Sequence, residues 1–181
     1  SDVYKRQVVD LKEKIYYSIL SQNDTILKNC VISMTLSDEK LGEQPRLKKS
    51  KRGKIDEESV RPVPVKNARV RNWCNTLRLD MAGDYALEFR VYNEGVAYRF
   101  VTDKKKELEV MGEEFTINFP ADYVAHLSQT SGFKTSYENL YTHKNTADYK
   151  TSDAMSYLPV LLESPEGYNL SLIHISEPTR L

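Results

Sequence analysis

The sequence predicts an all-β protein, an antiparallel β-sandwich, and three observations carry that prediction. Apolar residues repeatedly fall on every second position, the two-residue period of a half-buried strand. Twelve tyrosines and several Val/Ile/Phe runs supply the residue types that favour strands. Turn signals separate the alternating runs, and no stretch sustains the 3.6-residue apolar period of a helix.

The elements follow in chain order. In segment 14–20, KIYYSIL, Ile15, Tyr17 and Ile19 share one face, and Gln22-Asn23-Asp24 is turn chemistry. In segment 30–36, CVISMTL, Cys30, Ile32, Met34 and Leu36 fall together. Arg46–Lys54, RLKKSKRGK, is a basic cluster followed by Asp56-Glu57-Glu58. It lacks interleaved aromatics and has acids beside it, so it reads as a solvated loop between strands rather than a nucleic-acid patch. Leu77, Leu79 and Met81 define the next strand, and Gly83-Asp84 leads into YALEFRVYNEGVAYRF at 85–100. There Tyr85, Leu87, Phe89 and Val91 face one way, and after Asn93-Glu94-Gly95 the alternation resumes with Val96, Tyr98 and Phe100. This predicts a hairpin, with Gly95 in the left-handed conformation that returns the chain. Phe115, Ile117 and Phe119 predict a strand stopped by Pro120, and a last pair spans Tyr157–Leu162 and Tyr168–Leu170 across Ser164-Pro165-Glu166-Gly167.

Composition narrows the function classes. The 26 basic and 26 acidic residues balance, which gives no reason to expect nucleic acid or an anionic membrane as partner. No apolar run approaches the roughly 20 residues of a helical membrane span. Cys30 and Cys74 lie in separate apolar segments and read as two buried thiols, too few for a metal-ligand pattern. The ends read differently from the rest. SDVYKRQ at 1–7 and SLIHISEPTRL at 171–181 resemble sequencing-adapter read-through, which leaves 8–170 as the expected domain and gives His174 and Glu177 no functional weight.

FRVYNEGVAYRF resembles the hairpin that typifies the N-terminal domain of glycoside hydrolase family 97, and five further segments agree in order. Pro62-Val63 stands where the family shows PVWG, and Arg71-Asn72 with Asn75 and Leu77 resembles its (I/V)RNxYNEL strand. Phe119-Pro120-Ala121-Asp122-Tyr123 is similar to FPGDY, Tyr137–Thr142 to YExLYT, and Leu158–Leu170 to xPLLLExPDGxxL. Departures are Pro64-Val65 for Trp-Gly, Cys74 for a common aromatic, His126-Leu127 for a tryptophan pair, and a longer loop from Gln129 to Ser136.

The resemblance implies a β-sandwich of the super-sandwich type, truncated at both ends. It would pack on a (β/α)8 barrel of the same parent chain, in an enzyme that hydrolyses α-linked oligosaccharides with a calcium ion and is exported to the periplasm. The catalytic carboxylates of such an enzyme lie on the barrel, so none is assigned here. The N-terminal domain is expected to give one Glu to the calcium. Glu138, in the YExLYT match, is the candidate, and a Glu just beyond Leu170 is the other place the family offers. Asp122 and Tyr123 read as a strand-end turn, Arg71 and Asn72 as hydrogen-bonding residues, and His126 and His143 as surface histidines without metal spacing. The rival reading is a free-standing carbohydrate-binding module, for which Tyr16, Tyr92, Tyr98, Tyr137 or Tyr141 would offer rings to sugars. Strand alternation favours core or interface roles for them.

Overall fold

The computed structural model describes residues 5–22, 24–63 and 66–173. Asn23, Pro64, Val65, His174 and Glu177 lie outside the described residues. The described chain forms fourteen strands and one three-residue 3-10 turn, Thr146–Asp148, with every strand pairing antiparallel. Among the described residues no helix is long and apolar enough to cross a membrane. The chain divides into two compact units, Ser1–Pro120 and Ala121–Leu181.

The first unit is a sandwich of two sheets. One holds β1 (Lys5–Leu11), β2 (Ile15–Ser21), β3 (Asp24–Leu36) and β4 (Lys40–Leu41) in that order. The other is a meander of β5 (Leu47–Val60), β6 (Arg69–Met81), β7 (Tyr85–Val91) and β8 (Val96–Thr102). β9 (Val110–Phe115) returns to the first sheet and pairs with β3. Inward residues interdigitate as the alternation predicts. Ile15, Tyr17, Cys30 and Ile32 from one sheet and Leu79, Met81, Leu87 and Phe89 from the other are buried. Tyr98 on β8 stacks against Phe115 on β9 at 5.8 Å and leans on Tyr17 of β2 at 6.3 Å, which joins the two sheets through aromatic rings. Both cysteines are buried and unbridged, as free thiols.

Three details depart from the sequence reading. Residues 46–54 are not a loop: Leu47–Val60 is a long strand paired with β6, in continuous register from Lys49 on and with one irregularity between Leu47 and Lys49. It escaped notice because nearly all its side chains are exposed, so no apolar alternation marks it. The hairpin between β7 and β8 exists, closed by the Tyr92 N–H donating to the Gly95 carbonyl at 2.8 Å, but Gly95 is not left-handed. That conformation belongs instead to Gly83 and Asp84, at φ 95° and 56°, in the preceding turn. The strand expected at 115–119 ends at Phe115. From Thr116 on, the contact with β3 mixes backbone and side-chain bonds. The Thr116 N–H donates to the Val31 carbonyl at 2.9 Å, and Thr116 Oγ1 accepts the Val31 N–H at 2.6 Å. The Asn118 carbonyl accepts the Lys28 N–H at 3.0 Å, and Asn118 Nδ2 donates to the Asn29 carbonyl at 2.8 Å.

The second unit is one sheet, ordered β11 (Tyr141–Asn145), β10 (Val124–Thr130), β13 (Val160–Glu163) and β14 (Asn169–Leu172), with β12 (Met155–Ser156) also on β10. β13 and β14 realise the expected final pair, joined through Gly167 at φ 86°. Tyr123, Ala125, Leu127, Val160 and Leu162 form its buried centre.

Candidate functional site

Glu138 sits in the loop that joins β10 to β11, and the residues beside it are tied down. Tyr137 takes φ 60°, unusual for a residue with a Cβ, and its ring packs 4.5 Å from that of Tyr157. Asn139 Nδ2 donates to the Gln129 carbonyl at 2.7 Å, while Gln129 Nε2 donates to the Ala154 carbonyl at 3.1 Å. Lower in the loop, Thr130 Oγ1 and Gly132 exchange hydrogen bonds at 2.9 and 3.2 Å. Glu138 itself is exposed between these anchors. Among the described residues no three His, Cys, Asp or Glu side chains gather closely enough to hold a metal ion. Calcium takes six to eight oxygens, so one exposed carboxylate at Glu138 does not by itself make a shell.

The neighbouring candidates are structural. Asp122 Oδ1 accepts from Thr146 Oγ1 at 2.9 Å and from the Ala147 N–H at 2.8 Å, which caps the 3-10 turn. The Tyr123 backbone and Thr146 exchange two further bonds at 3.0 and 2.8 Å. The buried Tyr123 hydroxyl meets that of Tyr168 at 2.6 Å; burial first, then this bond, pushes its pKa above the ordinary phenol value. The Phe-Pro-Ala-Asp-Tyr segment therefore fixes a strand start, the turn role read from sequence.

Arg71 and Asn72 lie on β6. Arg71 grips Asp56 of β5 with two bonds of 2.8 Å, which raises the guanidinium pKa and lowers that of the carboxyl. Asn72 Oδ1 accepts from the Tyr92 hydroxyl at 3.0 Å. Arg71 is exposed rather than buried, and its partner is a carboxylate of the adjacent strand.

The two histidines, distant in sequence, are brought together. His126 of β10 pairs across the ladder with His143 of β11, their Nδ1 atoms 2.6 Å apart and their rings edge to face. His126 Nε2 lies 3.3 Å from Glu163 Oε2, near enough for an ion pair yet out of line for a hydrogen bond. With Tyr141, Pro159, Leu161 and Ser171 they line a hollow of about 480 Å³. Only strand register joins residues 126 and 143, and sequence spacing carries no trace of it. Of the five tyrosines, Tyr98 belongs to the core ring cluster, and Tyr16 and Tyr92 are half-buried. Tyr137 and Tyr141 are 64% and 59% exposed, more open than strand alternation led one to expect.

Comparison with known proteins bears on the whole chain. Residues 4–178 match the family model described as "Glycosyl-hydrolase 97 N-terminal". A retaining alpha-galactosidase of Bacteroides thetaiotaomicron is 30% identical over 178 residues, covering 92% of this chain and 26% of that protein. Among solved structures, a glycoside hydrolase family 97 enzyme from Pseudoalteromonas sp. strain K8, in complex with panose, superposes with a TM-score of 0.80 at 16% identity over 93% of this chain. A beta-arabinopyranosidase gives 0.78 at 21% identity over 88% of the chain. These last two likenesses speak to fold. The chain spans about a quarter of the length of each, 26% and 28% respectively.

Proposed function

The chain belongs to the glycosyl-hydrolase 97 N-terminal family, and from that premise we propose that it is the accessory β-domain of a calcium-dependent α-glycosidase. Its role is to pack on a catalytic (β/α)8 barrel of the same parent chain, to form one wall of the site for an α-linked oligosaccharide, and to supply Glu138 as one calcium ligand. The observation that carries the reading is the family match over nearly the whole chain together with a span of only 26% of the galactosidase relative.

The surface around Glu138 supports it. Phe133 and Leu140, on the same loop, are 83% and 92% exposed, and Tyr137, Tyr141, Leu158 and Leu161 of the second unit are exposed as well. Large apolar side chains gathered on one unit are what a covering partner would bury. A carboxylate set among them would lose its water when covered, which favours a cation beside it. Hydrolysis needs two carboxyl groups placed across the glycosidic bond, and this reading leaves both to the barrel. Export to the periplasm belongs to the same reading and rests on the family alone.

The test is Glu138→Ala in the full-length parent protein. Calcium affinity is expected to fall at least about tenfold, since one ligand of the shell is removed. Unchanged calcium dependence and activity would sink the assignment of Glu138. One observation favours the rival reading of a free-standing carbohydrate-binding module: the open rings of Tyr137 and Tyr141 suit stacking on sugars. The full-length parent protein separates the two, because a barrel in it supports the enzyme and its lack of one supports the module.

A further inference from the structure

β5 is the outer strand of its sheet, paired with β6 on one side and with no strand on the other among the described residues. All its side chains are exposed except Ile55, which is half-buried. On the face shared with Arg71 and Trp73, four successive side chains read Arg52, Lys54, Asp56, Glu58. The acids are held within the chain, Asp56 by Arg71 and Glu58 by Arg69 at 2.5 Å. The bases are not: opposite Arg52 and Lys54 on β6 stand Leu77 and Asn75, and no ion pair is found for either among the described residues.

Two positive charges followed by two negative ones are complementary to the same strand reversed. We propose that β5 is the pairing edge of a two-fold dimer of this chain, in which it lies antiparallel to the β5 of a second copy about an axis at Ile55. Lys54 then faces Asp56 of the second copy, and Arg52 faces its Glu58, each pair occurring twice. The unpaired backbone groups of the edge complete a ladder between the copies. Directly opposed cross-strand charges attract when unlike and repel when alike, so the pattern selects the register. An axis at Lys54 or Asp56 sets a charge against its own copy. An axis at Gly53 opposes Arg52 to Lys54, and one at Glu57 opposes Asp56 to Glu58. Of the centres from Gly53 to Glu57, Ile55 alone sets the quartet against itself without a like pair, and Gly53 near it adds no bulk.

A Lys-rich outer strand can also serve to keep a sheet edge from pairing at all, and sedimentation velocity on the 181-residue chain at low ionic strength decides between the two. The wild-type chain is expected to dimerise, and to dissociate as added salt screens the exposed charges. Arg52→Glu with Lys54→Glu opposes acid to acid and weakens the dimer roughly tenfold or more. Asp56→Lys with Glu58→Lys does the same with bases. An equimolar mixture of the two double variants regains dimers, now hetero-paired, and that recovery shows both variants to be folded at this edge. A wild-type chain that stays monomeric at all concentrations overturns the proposal. So does a dimer that survives Arg52→Glu with Lys54→Glu unchanged, or a mixture that remains monomeric.

Discussion

Tyr137 holds a backbone φ of 60° immediately before Glu138, while the Tyr137 ring rests on Tyr157 and Asn139 is bonded to Gln129. A conformation that costs about 1–2 kcal/mol persists because both neighbours are anchored. Glu138 was legible as a candidate through the motif around it. Its anchoring was not, because Tyr157 lies far along the chain and meets Tyr137 only once the strands have paired. The same gap hid the contact of His126 with His143. Another residue invisible in the sequence is Glu114, which accepts from Lys14 at 2.8 Å and from the buried Ser33 hydroxyl at 2.8 Å. The Lys14 bond first, and the Ser33 bond next, hold its carboxyl below the ordinary value of 4.5. A folded value below the unfolded one means that the stabilisation is complete above pH 4.5 and is lost as pH falls through the lower folded value. Urea midpoints at stepped pH should therefore show Glu114→Gln less stable than wild type at neutral pH, with the gap closing below pH 4.5. A gap constant with pH would count against this account of Glu114.

Among the elements, the half-buried strands were legible and the exposed one was not. β2 and β7 bury alternate residues and β8 shields Val96, Tyr98 and Phe100 more than Ala97 and Arg99, so their apolar residues recur with period two, while β3 buries both Ile32 and its neighbour Ser33. β5 buries neither face, and its pairing with β6 rests on backbone bonds that no side-chain pattern announces. The turns show a related limit. The Asn-Glu-Gly loop identified a hairpin correctly but suggested the wrong glycine for the left-handed role. Gly83 holds φ 95°, so Gly83→Ala should lower stability by about 1 kcal/mol. Nothing lies within 4 Å of a Cβ placed on Gly95, so Gly95→Ala should change it by no more than about 0.5 kcal/mol. Thermal or urea unfolding of the two variants checks the pair. Equal losses at both positions would mean that the left-handed role is wrongly placed.

At the scale of the molecule, two β-units together make a chain that matches the N-terminal family of glycoside hydrolase 97 from residue 4 to 178. That identity was legible because six short segments kept their order, and most of them turn out to be fold-determining features. The hairpin builds the second sheet, Asp122 and Tyr123 fix the start of β10, and the last pair becomes β13 and β14. The sequence assigned no catalytic residue, and among the described residues no group of three or more His, Cys, Asp or Glu side chains gathers that could hold a metal ion. The central claim is that this domain serves a catalytic barrel rather than acting alone. It is tested most directly by assaying an aryl α-galactoside and an aryl α-glucoside with two samples, the purified 181-residue chain and the full-length parent gene product. The account predicts that the gene product releases the aryl alcohol in a calcium-dependent manner, losing the activity to a chelator, while the chain alone releases none. Turnover by the chain alone, or a gene product that carries no barrel and hydrolyses neither substrate, would contradict it.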